Sequence, residues 1–337
     1  MPLLPKPPVL SLVVPVHNET GTVGLFLARA VPVLKGLGRN FDYEIVFVDD
    51  GSTDATLAEL IAARKANPRI RIVALSRNFG KDTALAAGLA HATGQAVIPI
   101  DVDLQDPPEV IPQLVAKWRE GFDVVNARRA DRSSDTWLKR TTARAFYRVF
   151  NQMADRPILE NVGDFRLLSR RVVDVVNQFP ERARFMKGLF SWVGFSHATI
   201  DYQRDVRAAG QTKWRYWKLW NFAVDGITSF TTVPLRIWSY FGAAIAFLAF
   251  VFAAVLIVRT LIYGIDTPGY ASLMVVVLGL GGINLLSLGV IGEYLGRTYT
   301  EVKGRPLYII DRTFGFEGPV RGPTASRARK SPAVRPR

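Results

Sequence analysis

Cysteine is absent from the 337 residues of this chain, which excludes disulfides and thiolate metal sites. The opening residues, MPLLPKPP, lack a basic segment followed by an apolar one, and their prolines oppose a helix. They do not read as a signal peptide, so the N-terminal portion is expected in the cytosol. Acidic residues are outnumbered: 29 Asp and Glu against 43 Lys and Arg give a formal net charge of +14. Such an excess suits nucleic acid, an anionic membrane surface or an anionic substrate. No aromatic–basic sheet motif of a nucleic-acid reader accompanies it, so no nucleic-acid partner is expected.

Charge of either sign is missing from two runs, 240–258 and 271–292. Each is long enough to cross a hydrocarbon core of roughly 30 Å. Arg215, Lys218 and Arg236 precede the pair and Arg297, Lys303, Arg305 and Arg312 follow it, whereas Arg259 is the one basic residue of the connector 259–269. The positive-inside rule then places both termini and the catalytic portion in the cytoplasm, in a multi-pass protein of the cell membrane. Neither run contains an acidic or basic residue, which argues against a transporter or flippase component. Gly279, Gly281, Gly282, Gly289 and Gly292 predict close helix contact, with the first run or with another subunit of a homo-oligomer.

Before these runs the pattern is that of an α/β protein. Strand-like segments 9–15, 43–48, 70–75 and 96–100 are each followed by a helix-like one, at 22–37, 55–67, 83–92 and 108–120, and 123–127 closes the series. Short β-rich runs separated by helices imply right-handed βαβ units and a mostly parallel, Rossmann-like sheet. Ligands bind beyond the carboxyl ends of such strands. His17-Asn18-Glu19, Asp49-Asp50-Gly51-Ser52 and Asp101–Asp106 all fall at those ends. From 128 to about 234 the chain is basic and aromatic, and 137–153 and 214–230 read as amphipathic helices of a bilayer interface.

The expected organisation is an extension at 1–8, a catalytic domain with its acceptor region at 9–213 and an interface helix at 214–234. Two transmembrane helices at 235–297, a cytoplasmic segment at 298–312 and a disordered basic tail at 313–337 follow.

The segment PIDVDLQDPPEV crowds three aspartates after an apolar run. If the strand continues, alternation aims Asp101 and Asp103 the same way while Val102 turns to the core. With Gln105 they form an oxygen-rich site for a hard cation, Mg²⁺ or Mn²⁺, whose shell substrate phosphates would complete. Asp106, before two prolines, is expected to begin the next helix rather than to ligate. Asp49 and Asp50 suit hydrogen bonding to a base or ribose, as does Glu19. Ser52 and Asp54 are explained by capping, and His17 as a polar loop residue.

Six ordered motifs, LSLVVPVHNE, VFVDDGSTDAT, LSRNFGKDTALAAGLAHATG, PIDVDLQDPPEVIPQL, GDFRLLSRR and GQTKW, resemble the family-2 glycosyltransferases of GT-A fold. Within these they are most similar to the polyprenyl-phosphate glycosyltransferases, of dolichyl-phosphate mannose synthase and bactoprenol glucosyltransferase type. The resemblance implies that Pro15, Val16, Glu19 and Asp50 hold the nucleoside of an NDP-sugar, with Lys81 near the donor. It implies that Asp101, Asp103 and Gln105 hold the metal and, through it, the diphosphate. Asp164 becomes the acceptor-side candidate base. Since a lipid phosphate, with a second pKa of about 6, is already largely anionic, Asp164 is equally a positioning group. Arg128, Arg140 and Lys213 are the candidates for gathering that phosphate.

The implied reaction is inverting transfer of one sugar to an undecaprenyl, decaprenyl or dolichyl phosphate, with UDP-glucose the first expected donor and GDP-mannose next. The rival within the fold is a processive polysaccharide synthase. Those enzymes carry Gln-x-x-Arg-Trp where this chain has Gln211-Thr212-Lys213-Trp214.

Overall fold

The computed structural model describes residues 10–38, 41–130, 159, 161–179, 181, 186–203, 233–264 and 269–316. Arg140, Lys213 and both stretches expected to be amphipathic, 137–153 and 214–230, lie outside these residues.

Eight strands form one sheet: β1 Leu10–Val16, β2 Tyr43–Asp49, β3 Ile70–Leu75, β4 Ala96–Pro99, β5 Val124–Arg129, β6 Val162–Ser169, β7 His197–Tyr202 and β8 Ile310–Phe314. Their order is β7-β5-β6-β4-β1-β2-β3-β8. Every position of β2 and all but one of β1 are buried, as expected of parallel strands covered on both faces. The covering helices of this part are α1 Thr22–Gly36, α2 Thr56–Ala66, α3 Lys81–His91 and α4 Ile111–Arg119, followed by α5 Arg170–Asn177 and α6 Met186–Trp192. Gly88 lets α3 lie directly on the sheet, since a Cβ there would stand 2.2 Å from Val13 Cγ1.

The pairings β1·β2, β2·β3, β1·β4 and β5·β7 are parallel. The chain steps outward from β1 to β3, then returns to the opposite side of β1 for β4. That reversal makes a crevice between the carboxyl ends of β1 and β4, the position where open α/β sheets hold ligands. Antiparallel β6 lies between β4 and β5, so its first residues come to the same end of the sheet.

β6, β7 and β8 were not among the expected strands. Asp164 and Arg166 break the apolar run of β6, and β7 and β8 are short, polar edge strands (HATIDY and IDRTF). β8 pairs antiparallel with β3 and runs across the boundary expected at 312.

The chain divides into two units, one of 1–147, 156–215 and 305–337, the other of 148–155 and 216–304. The second contains α7 Val233–Tyr263 and α8 Tyr270–Val302. Among the described residues no helix is long and apolar enough to cross a membrane. Side chains at 246, 253, 256, 257 and 260 of α7 and at 270–272, 274, 275 and 278 of α8 lie outside that description.

Candidate active site

The loops after β1, β2 and β3 are tied to one another. Asn18 turns the first loop in the left-handed region, at φ 54°. Its amide donates to Ser52 Oγ at 3.0 Å, and its side-chain oxygen accepts from Thr53 N at 2.8 Å. Glu19 N donates to Thr56 Oγ1 at 2.9 Å, just beyond Pro15 and Val16 at the end of β1. Asp54 accepts from Thr20 Oγ1 at 2.6 Å and from Thr56 N at 3.0 Å, so it joins two loops just ahead of α2. Burial would raise its pKa, but the bonds from Thr20 and Thr56 prevail and hold it at about 2. The N-cap residue of α2 is Ala55, with no side-chain cap bond, so Ser52 and Asp54 join loops rather than serve as the caps expected of them.

Asp50 is 3% exposed and gives one oxygen to Phe79 N at 2.7 Å and the other to Gly80 N at 2.9 Å. Its buried carboxylate fixes the β3–α3 loop, a role beside the nucleoside contact expected of it. Gly51, at φ 62°, sits so close to that loop that a Cβ would meet the Arg77 carbonyl carbon at 2.3 Å. His17 Nδ1 lies 2.9 Å from the Asp50 carbonyl oxygen, which can only accept, so Nδ1 carries the proton in this geometry.

β4 ends at Pro99, and Asp101 and Asp103 belong to the turn beyond it. Strand alternation therefore does not aim this pair. A turn does, with Leu104 at φ 59° and Asp103 Oδ1 accepting from Gln105 N at 3.1 Å. Asp106 does not begin the following helix: a 3₁₀ turn, Pro108–Val110, intervenes after Pro107, and buried Asp106 accepts from the Tyr202 hydroxyl instead.

Lys81 opens α3, and its ammonium stands 2.7 Å from both oxygens of Asp101 and 3.1 Å from Asp164 Oδ2. One ammonium thus brings Asp101, in the turn after β4, and Asp164, near the start of β6, to a single point. Burial would lower the Lys81 pKa, but the carboxylates of Asp101 and Asp164 outweigh it and hold the group above the usual lysine value. Among the described residues no three His, Cys, Asp or Glu side chains are grouped to hold a metal ion. Two carboxylates, Asp101 and Asp103, are nevertheless the number Mg²⁺ commonly takes when phosphates complete its shell. Asp101 also fits a cation on direct grounds, since it is part-exposed at 29% and already draws one.

On the far side of Asp164, β5 presents two arginines on opposite faces. Arg128 forms a bidentate pair with Asp201 of β7, at 2.6 and 3.0 Å, with both side chains about half exposed. Arg129 shares its face with Val125 and Ala127, which pack in the core cluster that contains Ile100, Phe165 and Tyr202. It hydrogen-bonds the Tyr202 oxygen. Burial would lower its pKa, but Asp106, Tyr202 and Asp101 together hold it above the usual arginine value. Its Nε is buried with no hydrogen-bond partner among the described residues. Arg166 is 3% exposed, donates to the Gly163 carbonyl at 2.6 Å and lies 4.7 Å from the Phe190 ring centre, bracing the start of β6 that carries Asp164.

Residues 11–176 match the sequence profile described as "Glycosyl transferase family 2". A prophage bactoprenol glucosyl transferase homolog of Escherichia coli (strain K12) is 52% identical over 90% of this chain and 98% of its own length. The bactoprenol glucosyl transferase of Shigella phage SfII is 50% identical over 90% of this chain and 98% of its own. The chain belongs to glycosyl transferase family 2. Among solved structures, a mannosyltransferase of Pyrobaculum calidifontis in complex with GDP-Man and Mn²⁺ is 18% identical, covering 88% of this chain and 87% of its own with a TM-score of 0.48.

In this family-2 chain the expected residues Pro15, Val16, Glu19, Asp50, Lys81, Asp101, Asp103, Gln105 and Asp164 all lie at one end of the sheet. Arg128 is taken up by Asp201. Arg129, Tyr202 and Arg166 were not read from the sequence. Adjacent arginines on a strand must face opposite ways. The apolar phase of Val125 and Ala127 was the available signal that the second one turns to the site.

Proposed function

We propose that the chain transfers a single sugar, with inversion, from an NDP-sugar to a polyprenyl phosphate, giving a polyprenyl-phosphate sugar and a nucleoside diphosphate. The observation that carries the reading is the ammonium of Lys81, which links a donor-side carboxylate, Asp101, to an acceptor-side one, Asp164. Donor and acceptor groups therefore meet at one point of the crevice. The names of the two bactoprenol glucosyl transferase relatives support a polyprenyl acceptor and a glucosyl donor, which we read as polyprenyl phosphate and UDP-glucose, with GDP-mannose the second donor to test.

In this reading Pro15, Val16, Glu19 and Asp50 line the nucleoside, and Asp101 and Asp103, with Gln105 beside them, hold Mg²⁺ or Mn²⁺. The metal, when bound, neutralises charge developing on the departing diphosphate. Asp164 orients the incoming phosphate oxygen against the sugar and takes up any proton it still carries. Arg129 receives the lipid phosphate. Its buried Nε supplies a donor that a phosphate oxygen satisfies, and a guanidinium binds such a group in bidentate fashion. The phosphate oxygen displaces the diphosphate from the anomeric carbon, so one C–O bond forms as another breaks.

The acceptor's lipid places the reaction at a membrane, on the cytoplasmic face, with α7 and α8 as its two spans. Support comes from the uncharged runs 240–258 and 271–292 within them and from exposed side chains such as Phe247 at 67% and Leu285 at 72%. Release of the chain by alkaline carbonate would remove the spans from this reading.

Membranes containing the full chain should convert radiolabelled UDP-glucose and polyprenyl phosphate into a charged glycolipid, and EDTA should stop the transfer. Transfer that survives both EDTA and Asp103→Ala would refute the metal assignment. Absence of labelled lipid with every NDP-sugar offered would refute the reaction.

A further inference from the structure

We infer that Lys81 is a resident counter-cation of the metal site, one that a divalent ion must displace from Asp101 and that the donor diphosphate then takes up. The inference rests on the metal reading above and adds an order of binding to it: the metal enters with the donor rather than ahead of it.

Three features carry it. First, Lys81 Nζ meets both oxygens of Asp101 at 2.7 Å, so it spans the atoms a metal would need. Second, the same ammonium reaches Asp164 Oδ2 at 3.1 Å, so it has a second anion to hold when Asp101 is withdrawn. Third, Lys81 is the first residue of α3, where the partial positive charge of the helix N-terminus disfavours a cation. Its position there opposes local preference and is compensated by the two carboxylates across the crevice. A side chain placed against its own helix dipole, about half exposed and resting on two carboxylates, is poised to change partners.

The physical consequence is competition. A metal ion arriving alone meets a carboxylate already neutralised and gains less from it. A metal ion arriving with a nucleoside diphosphate brings phosphate oxygens that accept from the released ammonium, so the displaced group is not left unpaired. Lys81 thereby couples metal and donor binding, and the coupling is reciprocal. Without Lys81 the pair Asp101 and Asp164 would lose the cation that bridges them, and the metal alone could take that place.

The test is Mn²⁺ binding to the detergent-solubilised full-length chain, read from the electron paramagnetic resonance signal of free Mn²⁺, with and without UDP. Lys81→Gln should bind Mn²⁺ alone about tenfold more tightly than the unmodified chain, within the usual range of site-to-site coupling. UDP should tighten Mn²⁺ binding strongly in the unmodified chain and much less in the variant. Lys81→Arg keeps the charge and should keep the original pattern. Asp164→Asn leaves Lys81 with Asp101 alone and should weaken Mn²⁺ binding, which serves as the deciding measurement if Lys81→Gln does not fold. Equal or weaker Mn²⁺ binding by a folded Lys81→Gln, or no change with Asp164→Asn, overturns the inference. If the unmodified chain binds no Mn²⁺ with or without UDP, the metal reading itself fails.

Discussion

The two sides of the crevice are built differently. The donor side, around β1, β2 and β3, is held by short bonds that involve the backbone: Asn18 to Ser52 and Thr53, Glu19 to Thr56, and Asp50 to Phe79 and Gly80. The side around β5, β6 and β7 is held by charged groups facing one another: Lys81 with Asp164, Arg129 with Asp106, and Arg128 with Asp201. Backbone-tethered loops are rigid and pre-shaped, which suits a nucleoside whose form does not vary. Facing charges can change partners, which suits an anionic group that arrives and leaves.

Losing Asp164 should expose that difference most. Asp164→Asn keeps the shape of the side chain but removes the charge that holds Lys81 and orients the acceptor. Turnover should fall by about 10²–10⁴, the range for a positioned acid–base group, with donor affinity falling only as far as the weakened metal site lowers it. Single-turnover rates at saturating donor would check it, and near-unmodified rates would sink an essential role for this residue.

Next comes the donor side. Asp50→Ala leaves the part-buried amides of Phe79 and Gly80 without their acceptor, at a cost of about 1 kcal/mol for each. The expected outcome is a lower Tm together with a raised donor KM, since the loop that presents Lys81 is released. A loss of donor affinity without loss of stability would mean that Asp50 acts on the nucleoside alone.

Arg129→Ala should raise the KM for polyprenyl phosphate about 10- to 100-fold, as expected for a hydrogen bond to a charged group, and leave the donor KM near its starting value. Asp106 then loses its facing cation, so the measurement is made below the variant's Tm. An unchanged acceptor KM would take Arg129 out of the phosphate site.

How much of this was legible in the sequence follows the same division. The strands and helices of the donor side read correctly because continuous apolar runs and Gly-rich turns are local signals, and the residues at their ends follow from the topology. Strand alternation was expected to aim Asp101 and Asp103 together, but the strand stops two residues before Asp101, and a turn presents the pair. β6, β7 and β8 were missed because their pairing is long-range and their sequences carry charge where a buried strand would be apolar. Residues 310–314 form an edge strand only because β3 offers them a partner, a fact that no window of the sequence contains.

A smaller effect should appear in acid. Asp123, 5% exposed, is held at about 2, below its ordinary 3.8, first by the hydrogen bond from Arg171 and then by Ser196 and Ser169, with burial opposing. A depressed folded-state value means that its contribution to stability is complete above about pH 4 and is lost as pH falls toward 2. Urea midpoints at pH 5 and pH 3 should therefore differ less in Asp123→Asn than in the unmodified chain. Equal differences would place the acid sensitivity elsewhere.

The least effect is expected from Arg128, and it decides which arginine serves the acceptor. Its pair with Asp201 has good bidentate geometry, but both side chains are about half exposed. Water and salt screen such a pair, and exposed ion pairs contribute little. Arg128→Ala should therefore change the acceptor KM by less than about fivefold and leave the thermal midpoint almost unmoved. Asp201→Ala separates two explanations for a small effect. If Asp201 merely occupies an arginine that could bind phosphate, its removal should lower the acceptor KM. If Arg128 faces away from the acceptor, as the shared phase of Val125, Ala127 and Arg129 implies, removing Asp201 should change nothing. A larger effect from Arg128→Ala than from Arg129→Ala would reverse the assignment of the two faces of β5.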